Sequence, residues 1–119
     1  MANQSRQNQG NTQFPQINTP EIRALIECMN TCKACAKKCI EGGNKKTALL
    51  CGECCEICDL AIKYKCCDSE FTQQVLDLCG QVCRQCATEC NRIESAHCHE
   101  CAEACRRCAE VCTPALSNR

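Results

Sequence analysis

The sequence predicts an all-α protein, an antiparallel up-down-up-down four-helix bundle with a cysteine-lined core. One observation is a repeated frame: residues 28–39, 79–90 and 101–112 all read CxxxCxxCxxxC, and CGECCEIC at 51–58 is a variant of it. Another is its period. Residues spaced like these fall within about 60° of one another on a helix but would scatter over both faces of a strand. Each frame is therefore one stripe on one helix, about 16 Å long. Finally, helix-starting and helix-stopping residues cut the chain into four segments joined by short loops, and short loops make neighbouring helices antiparallel.

The elements follow in order. Thr19-Pro20-Glu21 supplies an N-cap and a proline at the first helical position, and Gly42-Gly43 stops that helix. Asn44 can cap a second helix running to about Tyr64 or Cys66. Asp68 or Ser69 can start a third, ending near Asn91. Ser95 can cap a fourth, closed by Thr113-Pro114. The residues between the cysteines are mainly Ala, Lys, Glu, Gln and Arg, good helix formers, while Cys itself is a weak one. Residues 1–18 read as a flexible polar tail rich in Gln and Asn, residues 19–113 as the bundle, and residues 114–119 as a short C-terminal tail.

The stripes can all face inward at once. Cys28, Cys32, Cys35 and Cys39 lie on the first helix; Cys51, Cys54, Cys55 and Cys58 on the second, with Cys66 and Cys67 near its end. Cys79, Cys83, Cys86 and Cys90 lie on the third, and Cys98, Cys101, Cys105, Cys108 and Cys112 on the fourth. In the adjacent pairs Cys54-Cys55 and Cys66-Cys67, one side chain of each must turn about 100° away from the column. Ile22, Leu25, Ile26, Phe71, Val75, Leu76, Leu78 and Val111 gather at one end and are expected to plug it. The 42–44 loop, Arg92 and His97-Cys98-His99 gather at the other, the expected opening. His97 and His99 are candidate ligands there. Two residues apart on a helix they diverge by about 160°, so both rings are not expected to point inward.

Composition narrows the chemistry. Among 119 residues there are 19 cysteines but only 21 of Leu, Ile, Val, Met and Phe together, with no Trp and Tyr64 as the one tyrosine. Cysteine must occupy positions that leucine fills elsewhere, yet Leu or Ala would pack there without risk of oxidation. Fourteen basic residues balance fourteen acidic ones, which gives no pull toward nucleic acid or an anionic membrane. No apolar run reaches transmembrane length. The polar start MANQSRQNQGNTQFPQ has no signal-peptide core, so a cytoplasmic home with reduced thiols is expected. Disulfides fit poorly: Cβ atoms at i and i+4 on a helix stand about 5–6 Å apart, against about 3.5–4.5 Å for a bridge.

Metal fits better, because an ion between two thiolates spans about 4–5 Å between sulfurs. Zinc in four-cysteine sites leaves a charge of about −2 at each, and four such sites stacked in one core would bury a large uncompensated charge. Cu(I) suits thiolate. If every thiolate bridges two two-coordinate ions, the ratio is about one Cu(I) per cysteine, each ion replaces one proton, and the core stays neutral at any load. The alternative is a zinc-thiolate structural module with discrete four-cysteine sites. Iron–sulfur chemistry has only the CxxxCxxC string in its favour, without strands or the length of those enzymes.

On these residues, from about 20 to 113, the chain resembles the copper storage protein family, in its cytosolic branch. The resemblance implies a bundle whose inward thiols bind many Cu(I) ions, a histidine-bearing end that admits them, and assembly as a homotetramer. It implies a storage protein and not an enzyme, exchanging copper with donor or acceptor proteins. Ile22, Leu25, Ile26 and Met29 flank the cysteine face of the first helix as a possible oligomer contact.

Overall fold

The computed structural model describes residues 18–113. They form four α-helices, α1 (Pro20–Glu41), α2 (Lys45–Cys66), α3 (Thr72–Asn91) and α4 (Ala96–Cys112). α1 packs on α2 and α4, and α3 packs on α2 and α4, while the diagonal pairs make no backbone approach. This is a four-helix bundle with its helices at the corners of a square.

Local chemistry sets the ends. The Thr19 hydroxyl accepts from the Ile22 amide at 3.2 Å, and Pro20 takes the first helical position. The Ser95 hydroxyl does the same for the Cys98 amide at 3.2 Å, fixing the start of α4 beside His97. Asn44 begins α2 without any side-chain capping bond.

Two helices end in the same motif. After α1, Gly43 adopts φ 84° while its amide reaches the Ile40 carbonyl and the Asn44 amide reaches that of Cys39 at 2.8 Å. After α2, Asp68 adopts φ 55°, its amide bonds to Lys65 and the Ser69 amide to Tyr64 at 3.0 Å. Both are Schellman closures, with a left-handed residue that satisfies the last carbonyls. Asp68 therefore closes α2 and does not start α3, contrary to the expectation from sequence. Ser69 lies in the turn, where its hydroxyl accepts from the Phe71 amide at 3.1 Å, and α3 begins at Thr72. An aspartate tolerates the left-handed region because its short side chain bonds locally, so a cap and a stop look alike in sequence.

The core is built of sulfur and small residues. Among the described residues the only larger aliphatic side chains fully buried are Ile22 and Leu25; the rest of the buried apolar set is Cys and Ala. The apolar plug is smaller than expected. Ile22 and Leu25 are buried with Val75 and Leu76 packed against the core, while Ile26, Phe71 and Leu78 are exposed. Burial of Ile22 and Leu25 also removes them from any contact between chains. On the α3–α4 side, Thr113 packs within 3.1 Å of where a side chain on Gly80 would stand, drawing these two helices together. Thr113 is locked there by Arg84 at 2.8 Å.

The two helix starts give a paired test. Ser95→Ala should destabilise the metal-free protein by about 1 kcal/mol. Asn44→Ala, which loses no cap, should stay within about 0.5 kcal/mol. Urea unfolding followed by circular dichroism separates the two.

Candidate metal centre

The inward positions of the four stripes converge on the bundle axis. Every cysteine except Cys55, Cys66 and Cys67 is buried. Cys28 touches four other thiols: Cys32 at 3.9 Å on its own helix, Cys54 at 3.8 Å, Cys83 at 3.9 Å and Cys105 at 3.8 Å. Cys28–Cys83, and likewise Cys54–Cys105 at 3.9 Å, cross the diagonals where no backbone meets. Side chains alone fill the axis.

From there the contacts run both ways. Toward the α1 start, Cys83 meets Cys79 at 3.9 Å, Cys79 meets Cys58 at 3.8 Å, and Cys58 meets Cys108 at 3.8 Å. Toward the loops, Cys32 meets Cys101 at 3.6 Å and Cys105 at 3.5 Å. Cys51 then meets Cys101 at 4.0 Å, Cys90 at 3.6 Å and Cys86 at 3.8 Å. Cys112 is buried at the far end, beyond Cys108.

A separate group stands at the loop end. Cys35, Cys39 and Cys98 are mutually 3.8–3.9 Å apart, and the half-buried His97 places Nδ1 3.3 Å from the Cys35 sulfur and 3.6 Å from that of Cys98. Cys35 links this group to the column, since the ligand atoms of Cys35, Cys51, Cys90 and Cys101 lie within 4.8 Å of one another. His97 and Cys35 also line a cleft of about 270 Å³ in the α1–α4 seam, with Asn30, Lys38 and Glu100 on its walls. The group is thus approached from the side of the bundle. Sequence reading missed those wall residues, which look like any solvated helix face. Their signal would have been the α1–α4 pairing itself.

The remaining candidates are not brought to the column. His99 is exposed, on the opposite side of α4 from His97, as the divergence of two residues predicts. Cys67 is exposed at the end of α2 and Cys66 is half-buried there. Cys55 is half-buried and lies in the α1–α2 seam.

Electrostatics distinguish the mouth thiols. Cys35 is lowered to about 6: the thiol of Cys101 pushes it up, but Cys51 and Cys90, with His97, outweigh that and burial. Cys39 is pushed up to about 12 by burial and by charge on Cys35. Burial likewise raises Cys98. A lowered thiol beside an imidazole, with raised thiols at Cys39 and Cys98, is a ready nucleophile and ligand for a soft cation.

The spacing suits metal. Sulfurs at 3.5–4.0 Å are in contact, whereas an ion with bonds of about 2.3 Å separates two of them by about 4.0 Å at trigonal geometry and about 4.6 Å when linear. Small rotations of the thiols open that space. Overlapping quartets such as Cys28-Cys32-Cys54-Cys105 and Cys32-Cys86-Cys101-Cys105 share members, so Cys32 and Cys105 each serve both sites. Overlap favours bridging over isolated four-sulfur sites.

Fold and site together define the class: a four-helix bundle that binds metal in a shared core of thiols. The sequence model of the copper storage protein family matches residues 15–117, and the chain belongs to that family. A cysteine-rich protein of Bacillus subtilis strain 168, YhjQ, is 40% identical over 95 residues, covering 76% of this chain and 88% of that protein. Among solved structures, the Cu(I)-bound copper storage protein BsCsp3 is 39% identical with a TM-score of 0.76, over 79% of this chain and 92% of that one. Metal-free Csp3 of Bacillus subtilis is 40% identical with a TM-score of 0.75, over 79% of this chain and 93% of that one. Membership makes storage of copper by clustered core thiols the function of the chain. No helix among the described residues is long and apolar enough to cross a membrane.

The contrast between mouth thiols can be measured. In the reduced, metal-free protein at pH 7, iodoacetamide should modify Cys35 well before Cys39, because only the thiolate reacts. The Cys35 rate should fall as pH drops through about 6. His97→Ala, by removing one of the influences that lower Cys35, should slow it. Peptide mass spectrometry reads each site.

Proposed function

We propose that the protein stores Cu(I) at about one ion per cysteine, with each core thiolate bridging neighbouring ions. The observation that carries this is the unbroken run of sulfur contacts from Cys51 through Cys28 to Cys108, no link of it longer than 4.0 Å. In such a run an ion moves by exchanging one sulfur for the next. Beyond the ion taken by the lowered Cys35, each arriving Cu(I) releases one proton, so the dry interior never gathers charge. The ligands are the buried cysteines with His97; Cys55, Cys66, Cys67 and His99 stand outside the column and add capacity only from its surface.

Uptake begins at Cys35, Cys39, Cys98 and His97, where the lowered thiol meets the α1–α4 cleft. Ions then pass through Cys51, Cys90 and Cys101 to the interior. The protein works by ligand exchange and is not an enzyme, and it passes copper to and from donor and acceptor proteins. A cytoplasmic setting keeps its thiols reduced. The resemblance to the family supports a homotetramer, and Ile40 and Leu49, 64% and 66% exposed, offer apolar surface for such an assembly.

The test is an anaerobic titration of the reduced, metal-free protein with Cu(I) against a chromophoric Cu(I) chelator. Uptake of about one copper per cysteine before the chelator colours is expected, with helix content by circular dichroism unchanged from the metal-free state. Saturation near four or five ions, or displacement by zinc, would replace the column with discrete four-cysteine sites. In stopped-flow uptake, His97→Ala should slow the first ions several-fold, and His99→Ala should leave them unchanged.

A further inference from the structure

We propose that Met29 and Cys55 form a Cu(I) site outside the column, in the seam between α1 and α2, where copper exchanges with the middle of the store. The inference rests on the copper-storage reading and goes beyond it, because that reading moves copper only through the His97 end. A cleft of about 250 Å³ lies in this seam, lined by Met29, Asn30, Lys33, Cys55, Glu56 and Asp59. It brings together a thioether and a thiol, the two protein sulfur types that select Cu(I).

The placement follows from the helices. Met29 and Cys55 each come one residue after an inner cysteine, Cys28 and Cys54, whose sulfurs are 3.8 Å apart. One residue along a helix turns a side chain by about 100°, so each outer sulfur is swung from the axis into the same seam. Met29 is the one methionine among the described residues, and it stands at the level of a cysteine that the column does not use. Cys67 is exposed at a helix end, whereas Cys55 is half-buried against the core. Of the charged walls, Asp59 is engaged by Lys63 at 3.2 Å, leaving Glu56 and the Lys33 ammonium to face the cleft.

Binding breaks the Cys55 S–H bond, sends its proton to water and forms a Cu–S bond, with the thioether as a neutral second donor. Copper stays Cu(I) throughout. Passage inward breaks the copper bonds to Cys55 and Met29 and forms one to the Cys54 thiolate, with the neutral Cys28 thiol as second donor. The proton that leaves Cys54 is balanced by one returned to Cys55. Those two inner thiols contact Cys83 and Cys105, the centre of the column.

The full-length reduced protein, metal-free or loaded anaerobically with Cu(I), is treated with N-ethylmaleimide and each cysteine is read by peptide mass spectrometry. Loading should slow alkylation of Cys55 about tenfold, since a metal-held thiolate is not free to attack. Met29→Leu, close in volume and so tolerated by packing, should restore Cys55 to near its metal-free rate while the core cysteines stay protected. Equal labelling of Cys55 with and without copper, against a protected core, would overturn the site and leave storage standing. Protection of Cys55 that survives Met29→Leu would overturn the two-sulfur site. Reactive core cysteines in the loaded protein would instead remove the storage reading itself.

Discussion

Sulfur-to-sulfur contact along the bundle axis is the interaction on which the rest of this molecule depends. In most four-helix bundles leucine and its relatives fill the space between diagonal helices. Here Cys28 reaches Cys83, and Cys54 reaches Cys105, each at 3.9 Å, across gaps that no backbone spans. A thiol is short, so the helices must bring their inner faces close, and small Ala partners such as Ala61, Ala102 and Ala109 accompany the cysteines into the core. The same shortness leaves each sulfur several neighbours and no dominant one. That is a poor recipe for one selective site and a good one for many equivalent places.

The cost of burying charge decides how such a core can be used. A thiolate in a dry interior is unfavourable without a compensating cation, so an empty column holds protons and a filled one holds monovalent metal. The mouth group carries its own contrast. There Cys35 is held down to about 6, while burial and its charge push Cys39 up to about 12. On the proposed route the first ion meets that lowered thiol, and later ions displace protons one at a time. Apolar packing around Ile22 and Leu25 holds the far end, and Schellman closures fix the loops after α1 and α2. The scaffold need not rearrange as it fills.

Much of this is legible in the chain because cysteine marks its own face. Spacing places the four stripes, and Thr19 and Ser95 announce their helices by the capping bonds they make. The α3 start misleads because Asp68 and Ser69 look like caps, and only the backbone distinguishes a cap from a left-handed stop. Ile26, Phe71 and Leu78 are apolar enough to suggest the plug, but Ile26 and Leu78 lie on outward helix faces and Phe71 sits exposed in the turn before α3. Helical divergence limits the two histidines to one inward ring. Which one it is depends on how α4 leans against α1, a tertiary fact with no local signal. Clefts such as those beside Cys35 and Cys55 belong to helix pairs and lie beyond any single stretch of sequence.

Charge-neutral exchange is the central claim, and proton release measures it most directly. Metal-free protein in unbuffered solution is titrated anaerobically with Cu(I) carried by acetonitrile, a ligand that brings no proton, while a pH-stat counts acid. About one proton per copper, held from early in the filling to its end, is expected if each ion replaces one thiol proton. Release near two protons per ion, or release that stops while copper is still being taken up, would contradict a neutral column of bridging thiolates.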